Sequence, residues 1–168
     1  MIAPPLPRAL KYFNIYVDGI PYQEKCDSVT LPNLNFVVES FRAGGMDAPI
    51  PIEMGMEELT LSMTVADCSK ELLRLLGKPN IDISLRGSAQ AQGASPERIV
   101  ISMRGFCKGY EPGQWQPGAK STTTINYTLN YFKYVQGGDE IVEIDIPNMV
   151  RKFDGVDQLK EHRENLGL

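Results

Sequence analysis

The sequence predicts a mainly β protein, an antiparallel β-sandwich or barrel with a short helix between two strands and a second helix at the C-terminus. Three observations carry that expectation. Leu59, Leu61, Met63 and Val65 alternate with Thr60, Ser62, Thr64 and Ala66, the period-two signature of a half-buried strand. Residues 121–132 repeat the pattern, with Thr123, Ile125, Tyr127, Leu129 and Tyr131 on one face and Thr122, Thr124, Asn126, Thr128 and Asn130 on the other. Turn-forming pairs, Asp18-Gly19, Gly137-Gly138 and Asp154-Gly155, stand between apolar runs and suit tight reversals. Strands that outnumber helices this clearly pack as two antiparallel layers or one strongly curved sheet.

In chain order, Pro4, Pro5 and Pro7 hold the start extended, an arm over residues 1–9. Residues 11–17 alternate, with Phe13, Ile15 and Val17 opposite Tyr12, Asn14 and Tyr16. Strand regions follow at 28–31 and 34–41. Residues 42–56 contain Pro49 and Pro51, which remove ladder donors and exclude a central strand. Yet Met46, Ile50, Ile52, Met54 and Met56 make the segment too apolar for a solvated loop. It reads as an interaction loop over 40–57 that docks on a neighbour, or as a loop folded over its own sheet. Leu72, Leu73, Leu75 and Leu76 form one side of a helix over 69–76, capped by Ser69 or Asp67 and ended by Gly77 and Pro79. Ile81, Ile83 and Leu85 mark a strand, 87–96 a flexible connection, and 98–106 its hairpin partner with Ile99, Ile101 and Met103 inward. Residues 111–118 are turn-rich. Residues 140–146 follow the long strand with Val142, Ile144 and Ile146 inward, then a short strand at 149–153. Asp157 caps a final helix carrying Leu159, His162, Arg163 and Leu166, which Gly167 stops.

At 168 residues the chain reads as one domain, large enough to hide roughly 70% of its extended surface without metals or disulfides. A net charge of -4 argues against a surface built to grip duplex phosphates. It does not argue against one that encloses nucleic acid without holding it. Cys26, Cys68 and Cys107 are odd in number and lack CxxC spacing, so no disulfide framework is expected. The start lacks the layout of a signal peptide, and no run approaches the ~18 apolar residues of a membrane helix.

Catalytic chemistry needs groups matched in pKa and position, and the candidates are few. His162 stands alone on a charged helix, and Cys68 beside a helix start reads as a passive thiol. Glu143 and Asp145 share a strand face and could present an acid and a base, but no third group stands near them in sequence. No phosphate-cradling glycine motif is present, and packing accounts for Tyr127, Tyr131 and Tyr134 better than base stacking does. No enzyme activity and no cofactor is expected. What remains is assembly, since a unit this rich in strands must cover or pair its edges.

The segments Val29-Thr-Leu-Pro-Asn-Leu34, Phe41-Arg-Ala-Gly-Gly-Met46, Glu140-Ile-Val-Glu-Ile-Asp145, Asn148-Met149, Asp154-Gly-Val-Asp-Gln-Leu159 and Arg163-Glu-Asn-Leu-Gly-Leu168 resemble, in order, the major tail tube proteins of contractile-tailed bacteriophages of the P2 type and of related phage-tail-like bacteriocins. The resemblance spans nearly the whole chain. It implies one tail tube domain over 1–168 and hexameric rings that stack into a hollow tube, which penetrates the cell envelope and in phages conducts DNA. It further implies partners: other copies of itself, the sheath protein, the tape measure protein, and baseplate and tail terminator proteins. Its place would be the inner tube of the virion tail, assembled in the host cytoplasm, with DNA only in passage and no stable membrane anchoring. About 24 strands spaced ~4.8 Å and tilted ~45° enclose a bore roughly 40 Å wide. On this reading Thr60, Ser62, Thr64, Thr122, Thr124, Asn126, Thr128 and Asn130 face the lumen. Phe41, Arg42, Met46, Ile50, Ile52, Met54, Met56, Leu159 and Leu166 meet neighbouring subunits. The rivals are a monomeric β-sandwich ligand-binding module with a groove at Trp115, Tyr110 and Tyr134, and an enzyme using Glu143 and Asp145.

Overall fold

The computed structural model describes residues 6–168. Pro4 and Pro5 of the expected arm lie outside the described residues; Leu6, Pro7 and Arg8 are exposed, and Ala9 already pairs with Gln90. Strand β1 (Ala9–Val17) reverses into β2 (Ile20–Pro21) through Asp18 and Gly19, both at positive φ, the geometry a two-residue hairpin turn requires. There follow β3 (Cys26–Thr30), β4 (Phe36–Phe41), β5 (Ile50–Met56), β6 (Leu59–Val65), helix α1 (Lys70–Leu73), β7 (Ile81–Gln90), β8 (Glu97–Glu111), β9 (Thr123–Gln136), β10 (Asp139–Asp145), β11 (Val150–Phe153), β12 (Val156–Asp157) and α2 (Lys160–Leu166).

Ten strands form one antiparallel sheet, and β4 with β5 forms a separate hairpin. The organising pair is β8 and β9, joined over nearly their full length. The second edge of β9 is shared: residues 123–129 pair with β6, which pairs in turn with β3, and residues 131–136 pair with β10. The sheet therefore forks at Asn130. Its two lobes curl over a common core that includes Ile15, Leu61, Met63, Ile83, Ile125 and Tyr127. Leu10, Phe13, Val29, Leu31, Leu85, Ile99, Ile101 and Tyr134 line one apolar cavity of about 260 Å³, which places β3 across from β1 and β7.

The antiparallel sandwich or barrel with two short helices is thus present, with local differences. The alternation of β9 slips by one residue: Leu129 is buried, Tyr131 is half-exposed and Phe132 takes the core position. Arg104 and Gly105 are consecutive on β8 but pair with Tyr131 and Leu129, so Asn130 is an extra residue in a bulge, and one extra residue exchanges the faces. The helix expected over 69–76 is confined to Lys70–Leu73; Leu72 and Leu75 are buried, Leu73 and Leu76 exposed. Ser69 occupies its N-cap position without capping; its hydroxyl donates to Glu71 Oε2 at 3.0 Å. The connection expected from 87 to 96 starts later, because Gly87 to Gln90 continue β7 against β1 and β8. Ile146 lies beyond β10 and is exposed. Asp157 does not cap α2 directly; its Oδ1 accepts the N–H of Leu159, the N-cap residue, at 3.1 Å. Finally, the strand expected at 34–41 is present as β4, but Ile50–Met56, expected as part of the loop over 40–57, is a strand that pairs back on it, with Ser40 opposite Pro51. A two-stranded ribbon offers free edges on both sides, where a missing proline donor costs nothing.

Candidate functional site

Three surfaces follow from the fork. On the first lobe, β3, β6, the first half of β9 and the second half of β8 form a four-stranded patch. Register places Thr30, Ser62, Asn126 and Gly109 in one outward row, Ser28, Thr64, Thr124 and Glu111 in the next, and Thr60, Thr128 and Phe106 in a third. The structure therefore brings six of the expected lumen residues onto one face: Thr60, Ser62, Thr64, Thr124, Asn126 and Thr128. Thr122 precedes β9 and is exposed, and Asn130 occupies the bulge where the rows end. Ser28 and Thr30, which extend the face, were overlooked, although their alternation with Val29 and Leu31 is a signal of the same kind.

Lysines around this patch are neutralised within the chain. Glu58 Oε1 accepts from the Thr128 hydroxyl at 2.8 Å and from Lys108 Nζ at 3.3 Å, and these bonds hold its carboxyl below the usual range, Thr128 contributing most. Lys120 pairs with Asp27 at 2.6 Å and Lys25 with Asp67 at 2.8 Å.

The second lobe presents a different outward face. Tyr16, Ser84, Ser102, Lys133, Glu143, Lys152 and Asp157 make one continuous row across its strands. Arg104 bonds Asp82 at 2.8 Å and lies over the Tyr131 ring, while Arg86 lies over Tyr16. Lys133 pairs with Glu140 at 3.3 Å. This wall is charged and aromatic.

The third surface is the β4–β5 hairpin. Phe36, Val37, Val38, Phe41, Ile50, Ile52 and Met54 are all exposed large hydrophobics, more apolar area than isolated surface residues present. Of the residues expected at subunit contacts, Phe41, Arg42, Ile50, Ile52, Met54 and Leu166 are exposed. Met46 folds back at the tip, its carbonyl accepting from Arg42 Nε and its sulfur from the Ala43 N–H. Met56 packs on the core at the hairpin base, and Leu159 is half-buried before α2. Phe36, Val37 and Val38 were missed because residues 34–41 read as an ordinary strand.

The residues weighed for catalysis do not converge. Glu143 Oε1 accepts from the Tyr131 hydroxyl at 3.3 Å, and Asp145 accepts from the backbone and side-chain nitrogens of Asn148. His162 is exposed. Burial pushes the Cys26 thiol up to about 11 and raises that of Cys107, which keeps both protonated at neutral pH. Trp115 and Tyr134 line separate depressions. Among the described residues, no group of three His, Cys, Asp or Glu side chains is placed to hold a metal.

A curled antiparallel sheet with one inert polar wall, one charged wall and a projecting apolar hairpin defines a structural β protein built to assemble. The chain belongs to the phage tail tube protein FII family, whose profile matches residues 7–167. It is 34% identical to the tail tube protein of Escherichia phage P2, over 97% of this chain and 99% of that protein. It is 29% identical to the major tail tube protein of Serratia phage KSP20, over 89% and 90%. Two solved structures share the fold at low identity. The sheath/tube terminator of an extracellular contractile injection system matches with a TM-score of 0.58 at 11% identity, over 81% of this chain and 99% of that one. A chain of the sheath-tube complex from the same kind of system gives 0.55 at 13%, over 79% and 90%. The protein is accordingly a structural subunit of a phage tail tube.

Proposed function

We propose that six copies close into a ring by joining their first lobes into one continuous barrel, and that rings stack through the β4–β5 hairpin. The observation that carries this is the four-stranded patch. Its strands alternate in direction, β3, β6, β9 and β8, and four is even, so the end of β8 beyond Cys107, where Leu76 and Gly77 bridge its outer edge, meets β3 of the next copy antiparallel all the way round. The outer edge of β3 pairs with no other strand among the described residues, and closure removes such edges. In that ring the threonine, serine and asparagine rows face the bore. A wall whose lysines are already paired releases few counterions from DNA and binds it weakly, as a conduit requires. The charged wall of the second lobe is left for the sheath protein, with the tape measure protein inside the bore and baseplate and terminator proteins at the ends. The setting is the virion tail, assembled in the host cytoplasm, and the role is mechanical rather than enzymatic.

Site-directed labelling tests it. A cysteine at Asn126, in a chain with Cys68 replaced by serine, reacts with a bulky maleimide as monomer and becomes protected in assembled tubes, whereas one at Ser102 stays reactive in bare tubes. Equal reactivity of both in bare tubes seen by electron microscopy refutes the orientation.

A further inference from the structure

The hairpin shares no ladder with the main sheet. Its base is closed by the Glu57 N–H on the Asn35 carbonyl, so side chains must set the angle at which it projects. One residue reaches both of its strands. Arg151, on β11, holds a position where the strand buries its side chain, and it is the one charged residue in the buried set among the described residues. Its Nη1 donates to Glu53 Oε1 on β5 at 3.0 Å, its Nε donates to Gln158 Oε1 at 3.0 Å, and its guanidinium stands 5.0 Å from the Phe36 ring on β4. Phe36 in turn packs at 6.3 Å on Phe153 of β11. Glu53 Oε1 also accepts the Gly55 N–H at 2.7 Å. A planar fork with several donors and a stackable face can make these contacts at once, and an ammonium cannot. A buried arginine is a poor means of stabilising a fold compared with an apolar residue of its size, so its use here calls for another reason.

We infer that Arg151 is a positioning residue for assembly: it locks the β4–β5 hairpin at one angle to the sheet, so that the arm reaches the neighbouring subunit already oriented. This rests on the hairpin being the arm between subunits. An arm free to swing must lose that freedom on each contact, and pre-orientation lowers the cost.

The test places spin labels at Gly45→Cys and Ser102→Cys in the full chain, with Cys26 and Cys68 replaced by serine and the labelled protein diluted in unlabelled protein. Tube yield is measured in parallel by sedimentation and electron microscopy. The wild type is expected to give one narrow distance. Arg151→Met and Arg151→Lys broaden it and lower tube yield about tenfold, equivalent to ~1.4 kcal/mol. The swap Glu53→Arg with Arg151→Glu recovers part of both. Glu53→Gln, which keeps the buried arginine, broadens the distance less and serves if the Arg151 variants fail to fold. A narrow distance in Arg151→Met or Glu53→Gln, with only the melting temperature lowered, overturns the inference. A broadened distance with undiminished tubes overturns the assembly role of Arg151, whereas undiminished tubes from Ile52→Asp, a charge on the exposed hairpin face, overturn the hairpin's role between subunits.

Discussion

The same two strands carry both walls of this subunit, and the walls have opposite chemistry. On one side of Asn130, β8 and β9 display Thr124, Asn126, Thr128 and Phe106; on the other they display Arg104, Ser102, Tyr131 and Lys133. Bulges at Asn130 and at Lys108 bend the ribbon between them. A surface is therefore a property of a half-strand and its register, and one long hairpin can supply two partners of unlike chemistry. The neutral wall is built mostly from short threonine, serine and asparagine side chains, with Phe106 and Glu111 on its β8 margin, the charged wall largely from long ones that pair across strands.

The comparison breaks most completely at the bend. A Cβ on Gly105 would stand 2.0 Å from the Thr128 carbonyl oxygen, a backbone atom that cannot step aside. Gly105→Ala is expected to cost ~3 kcal/mol or more, read by denaturant unfolding, and Gly45→Ala at the open hairpin tip should cost little by the same measure. Next in size is a charge placed on either wall. Asn126→Lys leaves monomer stability within ~0.5 kcal/mol, but tubes made from it should retain DNA about tenfold more strongly at low salt and lose it as salt rises. Ser102→Lys should leave DNA retention unchanged, and equal retention by both would erase the distinction between the walls.

A smaller effect concerns the core beneath the neutral wall. Tyr127 is fully buried, its hydroxyl has no partner among the described residues, and burial pushes its ionisation far up. Tyr127→Phe should therefore stabilise the protein by ~1 kcal/mol, raising the melting temperature by roughly 2–4 °C. The smallest effect is acid sensitivity at the rim of that wall. Glu58 has its folded pKa lowered by Thr128 and then Lys108, so its contribution is complete above the unfolded value of ~4.3 and disappears as pH falls through the folded one. Glu58→Gln should be slightly less stable than wild type at pH 7, and the difference should vanish as pH falls through the lowered folded pKa of Glu58.

Much of this was legible beforehand for identifiable reasons. The β6 strand and the first part of β9 bury one face and wet the other, so their alternation records their register directly. Asp18-Gly19 and Gly137-Gly138 announced their turns because few other residues tolerate positive φ at both central positions. The second strand of the 36–56 hairpin was hidden because Pro49 and Pro51 argue against strands in general, whereas they forbid only donors that a free edge does not use. Arg151 was invisible: β11 is four residues long, and nothing in Val-Arg-Lys-Phe tells which of the two basic residues turns inward.

From the chain alone came the side-chain chemistry of each strand and the places where it reverses, because both depend on neighbours within a few residues. The exchange of Tyr131 for Phe132 in the core, the forking of the sheet at Asn130 and the grip of Arg151 on the hairpin depend on partners dozens of residues away. Pairing register and burial are set between segments, and no local periodicity can encode them.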